Sequence, residues 1–447
     1  MSRLSPSTCW QSGFMSLRKL PPNLLRLGIT TEALPPRSYK HRNYNGESLD
    51  LDAFMSLQVD SQGGTVSSLD LHQSFVSGQT TPLTVAESLL KKLVDSKQIG
   101  PNGYLNDVHP SDVLLQAEAS TKRYQSGKPR SVLDGVPVVV KNEFDVQGYR
   151  TRVGTRFINV DAVAEYDADI VKNLRDLGAI IVGVTNMVEV GYSPVDEKLR
   201  NPWNKDHSCG GSSSGSGGAV GGGFVPLAIG CDGGGSIRLP AAFCGAYGLK
   251  PTCSRLSAKG EFPSCPTVAV GGPIAATASD LCIGYLAMAD RSRHLPPVHV
   301  PRDFLKFSVT GLRVGVMREY NAQVFNPAIT QALNRVESEL IKQGATIVPI
   351  EFPYLELVRI AHLITIGSEL TATLEADPSG NSHMMSYSNA INSAGINCLG
   401  TMDYIHAQKL RTYAINRLCS LFDSKSNDAV DLILSPTAAV TAPKLPS

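Results

Sequence analysis

Helices that alternate with short apolar strands constrain the fold of this chain more than any other feature. Residues 168–186 read as an amphipathic helix, a glycine stop and a strand, and residues 327–350 repeat this order. VPVVVK at 136–141 is typical of a strand buried on both faces, and RVGVMREY at 313–320 predicts another strand. The alternation predicts an α/β fold with a mixed, mostly parallel central β-sheet that helices cover on both faces.

Two further helices and the domain limits follow from local composition. Apolar periodicity predicts helices at 83–96 and 111–125, and Thr84 is the expected N-cap of the first because a glutamate follows three residues later. Residues 1–65 are rich in proline and serine and weakly patterned, which predicts an extended or disordered N-terminal arm. Because no similar linker divides residues 66–447, one large domain is predicted there.

Composition argues against several classes of function. The 447 residues carry a net charge of +1, so no nucleic-acid partner is expected. No uninterrupted apolar run approaches the roughly 20 residues that span a bilayer, so no transmembrane segment is predicted, although contact with a membrane surface remains open. The nine histidines are scattered and the nine cysteines contain no CxxC pair, so neither a metal nor another cofactor is expected.

The expected location is the cytoplasm, because free buried thiols are typical of a reducing compartment. The first 31 residues contain four basic residues and no acidic one, which leans towards an organelle transit peptide. A mitochondrial location and peripheral attachment to a membrane are therefore kept as alternatives.

The stretch CGGSSSGSGGAVGGGFVPLAIGCDGGGSIRLPAAFCG at 209–245 is the strongest functional signal. A flexible linker is disfavoured because apolar segments interrupt and follow the glycines. A phosphate-binding loop is disfavoured because no lysine follows in the GxxxxGK[ST] pattern. GSSSG at 211–215 fits the GxSxG pattern of a nucleophile elbow, but a polar turn precedes it where an elbow needs a strand.

The preferred interpretation is a floor of backbone N–H groups around a reacting carbonyl. Gly233, Gly234 and Gly235 can direct N–H groups at one point as an oxyanion hole, because glycine permits close approach to the main chain. Ser236 ends this run and is the candidate nucleophile, which needs a base to become reactive. The histidine nearest to it in sequence is His207, so a different base is required.

Several ordered segments resemble the amidase signature family. GGSSSGS (210–216) and CDGGGSIRLPAAFCGAYGLKPT (231–252) resemble its signature, GVPVVVKNEFDVQG (135–148) resembles its lysine strand, and GAIIVGVTNMVEVG (178–191) resembles the connecting segment. Within that family the chain is most similar to the fatty acid amide hydrolase-like enzymes of fungi and plants. The resemblance implies the amidase signature fold.

The resemblance implies a Ser–Ser–Lys triad in which Ser236 is the nucleophile, Ser212 is the bridging serine that carries a cis peptide, and Lys141 is the base. Lysine is a base only when neutral, and its reference pKa is about 10.4. Lys141 follows four apolar residues at the end of a buried strand, so desolvation is expected to lower its pKa.

Three further residues have supporting roles in this interpretation. Ser213 is implied by the resemblance to support the triad. Asp232 and Arg238 flank the second glycine run, and we expect them to form an ion pair that holds this run in shape.

The resemblance implies an amidase that hydrolyses a carboxylic amide C–N bond through an acyl-enzyme on Ser236, with fatty acid amides such as N-acylethanolamines as candidate substrates. An amidotransferase A-type subunit that supplies ammonia to a partner is the first alternative. An inactive scaffold is the second, because family segments normally follow the point where this chain stops, at Ser447, so a C-terminal portion is expected to be missing. The expected ligand is a small-molecule amide, and a homodimer remains open.

Overall fold

The structure is a computed structural model. It describes residues 20–25, 27–28, 66–289, 308–376, 381–423, 425–426 and 428–445. The contacts group the chain into two compact units. The larger unit takes residues 38–304 and 442–447, and the smaller unit takes residues 1–37 and 305–441.

The helices are numbered here in chain order. They are α1 (Pro22–Leu25), α2 (Ser68–Val76), α3 (Pro82–Asp95), α4 (Pro110–Gln125), α5 (Asp169–Asp176), α6 (Ser214–Gly221), α7 (Arg238–Cys244), α8 (Ala278–Met288), α9 (Arg318–Asn321), α10 (Pro327–Lys342), α11 (Leu355–Glu375), α12 (Tyr387–Ile396) and α13 (Thr401–Leu421). Short 3-10 helices lie at Glu189–Gly191 and Asn381–Met384.

The strands are numbered in the same way. They are β1 (Leu105–Val108), β2 (Pro137–Lys141), β3 (Ile180–Thr185), β4 (Leu227–Asp232), β5 (Tyr247–Gly248), β6 (Val270–Ala275), β7 (Arg313–Val316), β8 (Thr346–Pro349) and β9 (Leu432–Leu434).

The larger unit contains a six-stranded mixed sheet in the order β1-β3-β2-β4-β6-β5. Strand β2 pairs in parallel with both β3 and β4, whereas the β1–β3, β4–β6 and β5–β6 pairs are antiparallel. In the smaller unit β7 pairs in parallel with β8 and β9. Two of the five pairings described in the six-stranded sheet and both pairings in the three-stranded sheet are thus parallel, and the predicted α/β fold with a mixed central sheet is confirmed.

Helices cover both faces of the larger sheet. The evidence is that neighbouring residues of β2 pack into two different apolar clusters, each with its own helices. Val138 and Val140 belong to a cluster that includes residues of α2, α5 and α8. Val139 belongs to the other cluster, which includes residues of α3, α4, α6 and α7. This alternation is the period of two that a strand imposes, and it places β2 at the centre of the core.

Local sequence signals set the limits of several elements. The predicted turn from helix to strand is confirmed at Gly178 and Gly344, which adopt φ of +92° and +94°. Helix α3 is capped by Thr81, whose Oγ1 accepts the Thr84 N–H at 3.1 Å, so the expected Thr84 cap is wrong. Pro82 then occupies the first turn, where its missing N–H costs nothing.

Part of the predicted N-terminal arm is folded. Residues 22–25 form α1, and Leu20 and Leu24 are buried in one apolar cluster with Ile360 of α11 and Leu410 of α13. At these positions the prediction of an extended arm is wrong, because two leucines gain burial within the smaller unit. Residues 1–19, 26 and 29–65 of the arm, and with them the boundary at residue 65, lie outside the described residues.

Helix α11 is the one described helix that is long and apolar enough, by length and composition, to cross a membrane. In its most apolar window 44% of the residues are buried. A core helix passes the same test, so this helix is weak evidence for a membrane span.

Candidate active site

The first glycine–serine segment folds as a turn followed by the buried helix α6. Its glycines lie where no side chain fits: a Cβ at Gly215 would lie 2.2 Å from the carbonyl oxygen of Tyr104, and one at Gly221 would lie 2.2 Å from that of Cys244. Glycine is a weak helix former, so this helix depends on its packing. The glycines of α6 therefore serve close packing within the core.

Ser212, the predicted bridging serine, lies in the turn before α6. The Gly211–Ser212 peptide is cis, as the resemblance implies, and Ser212 is buried. Its neighbour Ser213 is tied to β4, because Ser213 Oγ donates to the carbonyl oxygen of Cys231 and accepts the Cys231 N–H, both at 3.3 Å. These two bonds fix Ser213 against the central sheet, and its supporting role stays a prediction.

Lys141 is the last residue of β2, and its ammonium group lies beside Ser212. Its side chain is 1% exposed. Nζ donates to Ser212 Oγ at 2.9 Å and to the carbonyl oxygen of Cys231 at 3.4 Å. The structure therefore brings together the predicted base and the predicted bridging serine, and both side chains are buried.

A buried carboxylate, Glu143, pairs with this lysine and was not predicted. Lys141 Nζ lies 2.7 Å from Glu143 Oε2, and the Glu143 side chain is 3% exposed. Ser264 Oγ donates to Glu143 Oε1 at 2.5 Å. The chain turns sharply after β2, since the N–H groups of Glu143 and Phe144 both donate to the Lys141 carbonyl oxygen, at 2.6 and 3.1 Å. This turn brings the carboxylate back to the lysine.

The pKa of Lys141 is raised above its ordinary value. Burial lowers the pKa, but the Glu143 carboxylate raises it, and Cys231 and Glu261 raise it further, so that burial is outweighed. The expectation that desolvation would lower the pKa of this lysine is therefore wrong. Burial was predicted correctly, and the missing contribution is the Glu143 charge.

Two further acidic groups, the Glu261 carboxyl and the Cys231 thiol, lie close to the ion pair. Cys231 Sγ donates to Glu261 Oε1 at 3.0 Å. Burial raises the pKa of Glu261 to about 7, and the Glu143 charge raises it as well. Burial also raises the pKa of the Cys231 thiol well above its usual range. Two carboxylates and a thiol therefore lie around one ammonium group.

Potential ligand atoms of Glu143, Cys231 and Glu261 lie within 4.8 Å of one another. A metal cation there would have to compete with the Lys141 ammonium for the Glu143 carboxylate. The like charges disfavour this, and we assign no metal ligands.

Asp232 at the end of β4 organises the second glycine run. Its Oδ1 accepts the Gly235 N–H at 2.7 Å and its Oδ2 accepts the Ile237 N–H at 3.1 Å. Arg238 Nε and Nη2 donate to the same carboxylate at 2.9 and 2.8 Å, which confirms the predicted ion pair. Burial raises the pKa of Asp232. The Arg238 charge and the hydrogen bonds from the Gly235 and Ile237 N–H groups together lower it by more, so the pKa lies below its ordinary value.

The predicted oxyanion hole needs one correction. The N–H of Gly235 already donates to Asp232, so it is not available to a substrate. Within the part of the chain that the structure describes, no protein acceptor takes the N–H groups of Gly233, Gly234 or Ser236. These three groups remain the candidate donors.

Ser236, the predicted nucleophile, is half-buried in the loop that Asp232 holds. The N–H of Ser213 donates to the Ser236 carbonyl oxygen at 3.2 Å. This bond places the main chain of Ser236 beside Ser213, the residue that follows Ser212. The role of Ser236 as the nucleophile stays a prediction.

The sequence held one signal for the missed carboxylate. Glu143 stands two residues after Lys141, and residues two apart on a strand face the same side. The strand ends at Lys141, however, so only the turn decides where Glu143 lies. Glu261 and Ser264 follow more than a hundred residues later, and no local pattern connects them to the lysine.

Comparison with known proteins shows the family of this chain. A family model described as Amidase matches residues 97–447, which is more than half of the chain. The chain belongs to the amidase signature family. A solved structure described as an amidase is similar to this family member with a TM-score of 0.75 and 26% identity, covering 86% of this chain and 84% of that one.

Two curated relatives of this amidase signature chain differ in their names. It is 34% identical over 400 residues to a fatty acid amide hydrolase of Arabidopsis thaliana, covering 84% of this chain and 64% of the relative. It is 32% identical over 333 residues to the A subunit of a glutamyl-tRNA(Gln) amidotransferase from Coxiella burnetii, covering 71% of this chain and 64% of the relative. The chain thus spans less than two thirds of the length of these relatives.

Proposed function

We propose that this chain hydrolyses a carboxylic amide with Ser236 as the nucleophile. The observation that carries the proposal is the 2.9 Å hydrogen bond from Lys141 Nζ to Ser212 Oγ, between two buried side chains. Membership of the amidase signature family supports it, as do relatives named fatty acid amide hydrolase.

The acylation step uses a relay of two proton transfers. The neutral amine of Lys141 takes the proton of Ser212 while Ser212 takes the proton of Ser236, whose Oγ bonds to the amide carbon. The carbonyl π bond breaks and leaves an oxyanion, which backbone N–H groups at Gly233, Gly234 and Ser236 stabilise. The relay then runs in reverse and protonates the amide nitrogen, so that the C–N bond breaks and a neutral amine leaves.

Deacylation repeats the relay with water. The acyl group is held on Ser236 as an ester, and a water molecule attacks its carbonyl carbon while passing a proton towards Lys141. The bond to Ser236 Oγ breaks, and the returned proton restores the serine hydroxyl. Three residues make no bond to the substrate in this scheme: Ser213, Asp232 and Arg238. Their role is to hold the segments that carry Ser212 and Ser236 in place.

We propose fatty acid amides as the substrate class. The support is the similarity to fatty acid amide hydrolases from several plants, at 31–34% identity. A second candidate function is that of an amidotransferase A-type subunit, which the Coxiella burnetii relative favours. Both functions share the acyl-enzyme chemistry, and they differ in the amide that is hydrolysed and in the need for partner subunits.

The test of the nucleophile is labelling with a fluorophosphonate probe followed by mass spectrometry of the labelled peptide. We expect the label on Ser236, no label on the Ser236→Ala variant, and full labelling of Ser96→Ala, which removes an exposed serine at the end of α3. A label on any other serine contradicts the assignment. A folded chain that neither binds the probe nor turns over any amide supports the inactive scaffold.

The test of the substrate is a hydrolysis screen over long-chain acyl amides, short and aryl amides, and glutamine. Preference for long acyl chains by the purified chain supports the first candidate. Glutamine hydrolysis that needs added partner subunits supports the second.

A further inference from the structure

The ion pair of Lys141 and Glu143 conflicts with the resting state that the proposed chemistry needs. The base must be a neutral amine, yet a carboxylate lies 2.7 Å from Nζ and both side chains are almost fully buried. Opposite charges attract more strongly when water is excluded, so the pair strongly favours the ammonium form. This contact sets how readily the lysine can act as a base.

The other groups that face Lys141 act in the same direction. Glu261, close in space to Glu143, and Cys231 of β4 both favour the ammonium, whereas only burial opposes it. Ser264 donates to Glu143 Oε1 and thereby stabilises the carboxylate form. Among the described residues, the direct and closest partner of opposite charge is Glu143.

We propose that Glu143 is a positioning residue that holds Lys141 as an ammonium ion in the resting protein and thereby sets the pH above which Ser236 becomes reactive. The inference rests on the proposed role of Lys141 as the base.

The proton balance of this scheme is simple. Nζ first loses one proton to solvent, which leaves a neutral amine beside the Glu143 carboxylate. The amine then takes the proton that Ser236 passes through Ser212, and the ion pair is restored as the Ser236 Oγ bond to the carbonyl carbon forms. The Glu143 carboxylate lowers the fraction of Lys141 that is a neutral amine at neutral pH. It also makes that amine a stronger base, because it stabilises the ammonium that forms when the proton is taken up.

Removal of the charge should therefore have two linked effects. In Glu143→Gln the isosteric amide keeps the volume but not the charge, so burial lowers the pKa of Lys141. The rising limb of the pH–rate profile should move to lower pH by at least about one unit. The plateau at high pH should fall, because the amine is a weaker base. A purely structural role would lower the rate at every pH and leave the limb in place.

The experiment measures the rate of fluorophosphonate labelling of Ser236 from acid to alkaline pH. Glu143→Asp, which retains a carboxylate, is the matched control. In this variant the labelling rate should rise at the same alkaline pH as in the wild type. Glu261→Gln removes the more distant charge and should shift the limb in the same direction by a smaller amount. This second variant tests the idea even if Glu143→Gln lacks a cooperative melting transition.

A second readout reports on Lys141 without any reaction. Protein with 13C at the lysine Cε positions is titrated by NMR, and the Lys141 signal is assigned by its loss in Lys141→Met. We expect an alkaline midpoint in the wild type and a midpoint at least about one unit lower in Glu143→Gln. If Ser236 is never labelled, the proposed function fails. The titration still tests whether the Glu143 carboxylate raises the pKa of Lys141.

The result that overturns the inference is an unchanged Lys141 midpoint, or an unchanged labelling limb, in a folded Glu143→Gln protein. If Ser236 is still labelled in that case, the amidase proposal survives and the role of Glu143 does not.

Discussion

Ser212 stands between the lysine and the nucleophile in the proposed relay, so its hydroxyl is the residue-scale feature that is easiest to test. Ser212→Ala removes the group that takes one proton and gives another. We expect the hydrolysis rate to fall by about 10²- to 10⁴-fold, the usual range for proton transfer by a positioned group. Thermal melting should stay near the wild-type value. Activity within a few-fold of wild type would show that Lys141 reaches Ser236 without this serine.

Asp232 gives a prediction about stability and pH. Its carboxylate accepts the N–H groups of Gly235, Ile237 and Arg238 and pairs with the Arg238 guanidinium, and its pKa is held below the ordinary value. A lowered pKa in the folded state means that the stabilisation is present at neutral pH and is lost as the pH falls through the folded pKa. Asp232→Asn should lower the free energy of unfolding by about 1–3 kcal/mol at neutral pH, measured with urea.

The control for this prediction is the same measurement in acid. Once Asp232 is protonated in both states, the wild type and the variant should differ less than at neutral pH. A difference that stays constant with pH would assign the loss to shape and not to charge.

Individual site residues could be predicted where a local pattern fixes their surroundings. The apolar run before Lys141 predicts its burial, and the short spacing of Asp232 and Arg238 predicts their contact. Glu143 could not be placed, because its position depends on the turn after β2. The sign of the Lys141 pKa shift was predicted wrongly for the same reason.

At the scale of elements, helix α6 depends on the absence of side chains. A Cβ at Gly215 would lie 2.2 Å from the Tyr104 carbonyl oxygen and 2.6 Å from that of Asn186, and backbone atoms cannot move aside easily. Gly215→Ala should therefore destabilise the protein by about 1–3 kcal/mol, the usual cost of overpacking. Gly28→Ala is the control, because nothing lies within 4 Å of its Cβ position. Equal melting temperatures for the two variants would contradict the packing argument.

Elements with a clear apolar period were predicted well, and those without one were not. The helix–glycine–strand patterns at 168–186 and 327–350 are confirmed. RVGVMREY was predicted as one strand, but β7 ends at Val316 and α9 follows from Arg318. Helix α6 could not be predicted, because glycine disfavours helices and only contacts distant in sequence stabilise this one.

The charge buried around the site affects the stability of the whole molecule. Glu261 has a pKa of about 7 in the folded protein, against an ordinary value of 4.5 for a glutamate carboxyl. A raised pKa means that the stabilisation is complete below the unfolded value and is lost as the pH rises through about 7. We therefore expect Glu261→Gln to weaken the decline in unfolding free energy between about pH 5 and about pH 8.

The measurement is urea unfolding of both proteins at the two pH values. Asp280, with a pKa of about 6, contributes a decline of the same sign in both proteins, so it cancels in the comparison. An identical decline in the two proteins would show that Glu261 titrates normally.

The glycines of α6 also limit how this protein can be changed. Gly215, Gly217 and Gly221 each have a neighbouring atom closer than 3.0 Å to the position of a new methyl group. In a random mutagenesis library, survivors should retain glycine at these three codons whatever amide is used for selection. Variants with an altered substrate range should carry their changes in other segments, so library diversity is better placed there.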